Sequence, residues 1–190
     1  MEKNFNTRTI ALLGVLLALI FAFLAVEYFS FRVFFGNFTP AALTIPLAIS
    51  VALTGKKWRM FVGGTLLGVA SFILAVIVAE LVFLNPLVSI LPRVFIGIVA
   101  YYVCALFKKL CAKSENKFVS RVLPYSVAGV FGTITNTALV ISMTFVFNYA
   151  SIAAVFTTVL LVNFLSEIVS SAILVPIFVK TINLVDKDSE

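Results

Sequence analysis

A few polar side chains interrupt a chain that is otherwise close to hydrocarbon, and their types and order suggest solute binding. Arg93 closes the stretch Asn85-Pro-Leu-Val-Ser-Ile-Leu-Pro-Arg93, in which Asn85 and Ser89 are the other polar groups. Thr133 and Asn136 fall in Gly132-Thr-Ile-Thr-Asn-Thr137, and Asn163 and Glu167 lie four residues apart, on one face of a helix. An arginine at the lip of a membrane span can reach its head toward water, but one facing a bundle interior needs an anion or dense hydrogen bonding. Pro86 and Pro92 disfavour helix at the residues before them, so a turn is expected here, with Pro92 in the first turn of a new helix and Arg93 just inside a span. Two readings are open. Arg93 and Glu167 form an internal ion pair with the asparagines as interhelical glue at about 0.6 to 2 kcal/mol per hydrogen bond, or these groups converge on a solute cavity.

The same inventory excludes most chemistry. There is no phosphate-binding Gly-x-x-x-x-Gly-Lys-Ser/Thr loop and no histidine, and the only aspartates are Asp186 and Asp188 in the tail. ATP hydrolysis is therefore not expected in this chain, nor serine or metal chemistry, so no catalytic residue, metal ligand or cofactor is assigned. Cys104 and Cys111 lie near a basic loop without partners for a metal site and read as small packing residues. The expected activity is to bind and move something without transforming it.

The elements that position these groups follow from composition. Of 190 residues, 62% are hydrophobic and 12% charged, far from the roughly 25% charged of soluble domains. The expected fold is an all-α integral membrane protein, one bundle of six transmembrane helices near 9–30, 39–55, 60–83, 91–107, 122–147 and 152–179. The second span begins at Thr39-Pro40 and contains Pro46, so it is expected to be short or irregular and to wall a cavity. Sorting the cations by side leaves only Arg32 and Arg93, of 14, opposite the rest, which places both termini in the cytoplasm. The net charge of +6 is thus a topology signal, with no nucleic-acid partner expected; the basic loop from Lys108 to Arg121 can meet anionic membrane lipid or an acidic partner. Glu27 and Arg32 read as solvated at the interface, and Glu80 as lying where water reaches it. Gly14, Ala18 and Ala22 recur every four residues on the first helix, a spacing that lets another helix approach closely, inside the bundle or from a partner. Gly63, Gly64 and Gly68 suit packing within the bundle.

In the order and spacing of its Asn85 to Arg93, Gly132 to Ala138 and Asn163 to Glu167 motifs, nearly the whole chain resembles the substrate-binding S components of energy-coupling factor (ECF) vitamin transporters, the pantothenate-type branch most of all. The resemblance implies a multi-pass protein of the bacterial plasma membrane that captures a vitamin from outside. It also implies a membrane coupling subunit, the T component, and two cytoplasmic ATPases as partners. Family members often carry an Ala-x-x-x-Ala docking motif on the first helix; here Ala11 is followed by Val15, and Gly14, Ala18 and Ala22 stand in for it. Substrate contacts are expected from Asn85, Ser89, Arg93, Thr133, Asn136, Asn163 and Glu167. Pantothenate would answer Arg93 with its carboxylate; hydroxymethylpyrimidine, pyridoxine or riboflavin is the alternative if Glu167 neutralises Arg93. A membrane scaffold that transports nothing is the reading from a different class.

Overall fold

The computed structural model describes residues 7–35, 41–148 and 150–187, the side chains at 8, 31–35, 150–162 and 186–187 excepted. Among the described residues the chain is helical without strands: α1 Thr7–Phe35, α2 Thr44–Leu53, α3 Arg59–Val78, the single turn α4 Pro86–Ser89, α5 Leu91–Cys111, the short α6 Lys117–Arg121, α7 Leu123–Val146 and α8 Ala150–Lys187. Among the described residues five segments are long and apolar enough to cross a membrane: Thr9–Ser30, Arg59–Val78, Pro86–Cys111, Leu123–Val146 and Asn163–Val185. The fold is that of an all-α protein built for a hydrocarbon solvent.

The segment expected at 39–55 behaves differently from the other five. Over the described residues it is helical for 10 residues, which at about 1.5 Å each is half of a ~30 Å hydrocarbon core; Thr39 and Pro40 lie outside the described residues. Every residue from Thr44 to Ala52 is buried, so α2 is surrounded by α1, α3, α5, α7 and α8. A helix apolar all round and covered on every side is a core element. α1 is the opposite case: only 11% of its apolar window is buried.

Glycine sets the close approaches. A Cβ at Gly64 would run into the Arg93 carbonyl oxygen, one at Gly68 would come within 2.9 Å of Ile90 Cα, and one at Gly97 would strike the Met60 carbonyl oxygen. These pairings run in opposite directions, so α3 and α5 are antiparallel and nearly touching. Gly63, Gly64 and Gly68 do serve packing within the bundle.

α3 stops earlier than the apolar run to residue 83 suggested. Ala79 takes a left-handed conformation with φ 55° and donates its N–H to the Ala75 carbonyl, and Glu80 N–H bonds the same carbonyl at 3.0 Å. That is the usual geometry for ending a helix, carried here by a residue with a Cβ. Relief of the Cβ clash by Ala79→Gly is expected to stabilise the protein by about 1 kcal/mol, measured as a higher midpoint of thermal unfolding in detergent.

Candidate functional site

The turn before α5 is built to present Arg93. Asn85 caps α4, its side chain accepting the Leu87 N–H at 3.0 Å, and Pro86 occupies the first helical turn, where no N–H is needed. Ser89 is fully buried and donates its hydroxyl to the Phe83 carbonyl at 2.7 Å. Asn85 and Ser89 therefore shape the turn, and both side chains already have protein partners. α5 then begins with Pro92 in its first turn. Arg93 is 8% exposed; Nη1 donates to the Val88 carbonyl at 2.7 Å, and the guanidinium lies 5.0 Å from the centre of the Phe83 ring. It faces the interior, as expected, and is held by a carbonyl and an aromatic face. Glu167 is an electrostatic neighbour. Among the described residues no ion pair within 4.0 Å joins the two; of the two readings the sequence leaves open the direct pair is not made, and Arg93 bonds Val88 instead.

Contacts between helices fix the level at which the other polar groups lie. Lys108 Nζ sits 4.6 Å over the Tyr125 ring, and a Cβ at Gly132 would come within 3.3 Å of Ile96. α5 and α7 are therefore antiparallel, and one further turn brings Asn136 level with Arg93. On the next pair, Thr133 and Ser171 share a hydroxyl hydrogen bond of 2.8 Å, and a Cβ at Gly129 would approach the Ser171 carbonyl to 2.6 Å. Moving one turn from that clasp toward the α7–α8 connection reaches Asn136 and Thr137 on α7 and Glu167 on α8; Asn163 follows one turn later. Thr133, Asn136, Thr137, Asn163, Glu167 and Ser171 are all buried. Thr133 and Ser171 are a fastening between helices, while Asn136, Thr137, Glu167 and Asn163 are buried polar groups further toward the α7–α8 connection, with Glu167 an electrostatic neighbour of Arg93.

Glu27 is a further buried polar group, and its expected role is corrected by the structure. The helix that carries the span Thr9–Ser30 continues to Phe35, and Glu27 is inside the protein at 4% exposure, not solvated at an interface. Its carboxylate accepts the Leu43 N–H and the Thr44 hydroxyl at the start of α2. Glu167 accepts the Ala41 N–H at 3.1 Å, two residues earlier. Two carboxylates thus meet the N-terminal end of α2, where free N–H groups and the positive end of the helix dipole favour negative charge. Glu27 and Glu167 are themselves electrostatic neighbours. Arg32 is part of α1, with its side chain outside the described residues.

The polar layer of α7 and α8 is incompletely satisfied. Asn136 Oδ1, Thr137 Oγ1 and Asn163 Oδ1 are buried without a hydrogen-bond partner. Leaving such a group unpaired costs about 1 to 3 kcal/mol each, so three on two adjacent helices point to something that completes them. Among the described residues no group of three or more histidine, cysteine or carboxylate side chains is arranged to hold a metal ion. Gly14, Ala18 and Ala22 lie far from this layer in character: all three are exposed on α1, and a Cβ at Gly14 would meet nothing within 4 Å. The stripe is thus open, so of its two readings the one that packs it inside the bundle is not made. No protein-family model, curated protein or solved structure matches this chain.

Proposed function

We propose that this chain is the solute-capturing subunit of an ATP-driven vitamin importer of the ECF type, oriented with both termini in the cytoplasm of a bacterial cell. The observation that carries the reading is the buried layer of Arg93, Asn136, Asn163 and Glu167, with two asparagine carbonyls and the Thr137 hydroxyl unfilled inside an apolar bundle. Polar groups at such depth are costly and are kept where a pathway or ligand uses them. The absence of a phosphate-binding loop from the sequence fits a chain that depends on a coupling subunit and two ATPases for energy. A scaffold would need the exposed α1 stripe but gains nothing from the unfilled layer.

Pantothenate is the first solute to test, because its carboxylate would answer Arg93. In that case Arg93→Ala lowers affinity by roughly 30-fold to several thousand-fold, the effect of about 2 to 5 kcal/mol for a lost buried charge pair. A neutral vitamin such as hydroxymethylpyrimidine or pyridoxine is the second reading, favoured by the engagement of Arg93 with Val88 and Phe83. Calorimetry with each vitamin, on the native protein and Arg93→Ala, decides between them. The transporter reading itself is tested by ATP-driven uptake in vesicles holding this chain with the coupling subunit and ATPases. No uptake, together with no small molecule in mass spectra of the purified protein, would leave the scaffold.

A further inference from the structure

We propose that the outward face of α5, with the short α6 beyond it, is a site for one anionic phospholipid of the surrounding bilayer, its phosphate held by Lys109 and Lys113. The site is independent of whatever solute the bundle carries. α5 packs through one side, where Gly97, Ala100, Cys104 and Cys111 are buried. The opposite side is open among the described residues. Tyr102 and Leu106 are each 54% exposed, and Lys109 and Lys113 are exposed in turn. Steps of four, three and four residues keep all of these on one strip of a helix. Ala112 retains helical dihedrals, φ −59° and ψ −30°, so the strip continues past Cys111 to Lys113.

Two properties of the strip identify its occupant. The first is the order of its parts. From Tyr102 to Lys113 the rise is about 16 Å, half of a ~30 Å hydrocarbon core and so the depth of one lipid leaflet. Its apolar half lies within the span Pro86–Cys111 and its cationic half at the end of that span, the order of an acyl chain and a headgroup. The second is charge. From Lys108 to Arg121 the chain has five cations and one acid, Glu115. Lys108 is engaged, its Nζ lying 4.6 Å over the Tyr125 ring. Lys109 and Lys113 stand one turn apart, like charges that repel unless an anion comes between them. α6, in contact with both α5 and α7, adds Lys117 and Arg121, also one turn apart, beside Phe118 at 59% exposure. Because α5 ends at Cys111 and α7 begins at Leu123, this connection stays at the membrane surface, where clustered cations attract anionic lipid. An acidic soluble protein could answer the lysines but would not reach Tyr102 and Leu106.

The test titrates the full chain, purified in neutral detergent and freed of lipid, with dioleoyl phosphatidylglycerol, dioleoyl phosphatidylcholine and inorganic phosphate. Native mass spectrometry reads the bound lipid, and the midpoint of thermal unfolding reads its effect. Phosphatidylglycerol is expected to bind at least about tenfold more tightly than phosphatidylcholine, the effect of two cations near the surface, and to raise the midpoint; inorganic phosphate does neither. Lys109→Gln with Lys113→Gln removes the preference, and Lys109→Arg with Lys113→Arg keeps it. Lys57→Gln with Lys180→Gln, an equal loss of charge at two other exposed lysines, leaves it unchanged. Leu106→Ala weakens both lipids without changing their ratio. Equal affinity for the two lipids overturns the proposal and leaves the cations to an acidic partner. A preference that survives the Lys109 and Lys113 glutamine pair, or that falls as far in the control pair, overturns the site. An equal rise in midpoint with inorganic phosphate overturns lipid as its occupant. Should the glutamine pair unfold without lipid, the single variants Lys109→Gln and Lys113→Gln decide: a reduced preference in each supports the site, and an undiminished one in both overturns it.

Discussion

Gly64→Ala is expected to cost the protein about 3 kcal/mol or more of stability and, with it, ligand binding. The added Cβ would occupy the place of the Arg93 carbonyl oxygen and come within 2.7 Å of the carbonyl carbon and 3.0 Å of Val94 Cα. Overpacking in a core costs about 1 to 3 kcal/mol when side chains can yield. Here the obstacles are backbone atoms of α5, and α5 cannot retreat as a unit because Gly68 meets Ile90 and Gly97 meets Met60 along the same seam. The strain falls on the residue that carries the guanidinium, so Arg93 would lose its register to Val88 and Asn136. Gly14→Ala is the internal control, since a Cβ there meets nothing within 4 Å. Thermal unfolding of both variants in detergent, beside the native protein, checks the prediction; a Gly64→Ala protein as stable as the Gly14→Ala protein would mean that α3 and α5 are not packed this closely.

What the sequence disclosed of this site, and what it concealed, divides along a physical line. Side-chain chemistry was legible. The Asn85 to Arg93 turn, the inward-facing Arg93, the shared face of Asn163 and Glu167 and the packing of Gly63, Gly64 and Gly68 follow from residue type and helical spacing, and the structure has them. Backbone partners were not legible. A direct Arg93–Glu167 ion pair is one of the two readings the residue types leave open, because each is the other's obvious side-chain partner. In the fold Arg93 finds a carbonyl five residues away and Glu167 an N–H 126 residues away, and neither acceptor nor donor leaves a mark on residue identity. Glu27 was missed for the same reason. A single acid near the end of an apolar run reads as interfacial, and nothing in Leu43 announces that its N–H will stand free at a helix start. The short length of α2 was hinted at by Thr39-Pro40 and Pro46, but its burial on every side depends on five other helices closing around it.

Under the proposed importer function, replacing Gly14, Ala18 or Ala22 with Leu is expected to abolish ATP-driven uptake while leaving thermal stability and solute affinity unchanged. From spacing alone the stripe was compatible with packing inside the bundle, in which case each Leu would overpack it and lower stability and binding together. Its exposure on α1 removes that outcome. In lipid an exposed apolar face gains nothing by association as such, so the value of small residues lies in the close backbone approach they permit to a second helix. A Leu at any of the three would hold that helix away. The isolated chain would not register the change, because the polar layer depends on α5, α7, α8 and the start of α2, and α1 reaches it through Glu27 on a different face: Glu27 is buried where Ala22 and Val26 are exposed. Uptake, unfolding midpoint and affinity measured on the same three variants test this directly. Loss of uptake with falling stability would return the stripe to internal packing, and normal uptake in all three would remove α1 from the proposed contact with a coupling subunit.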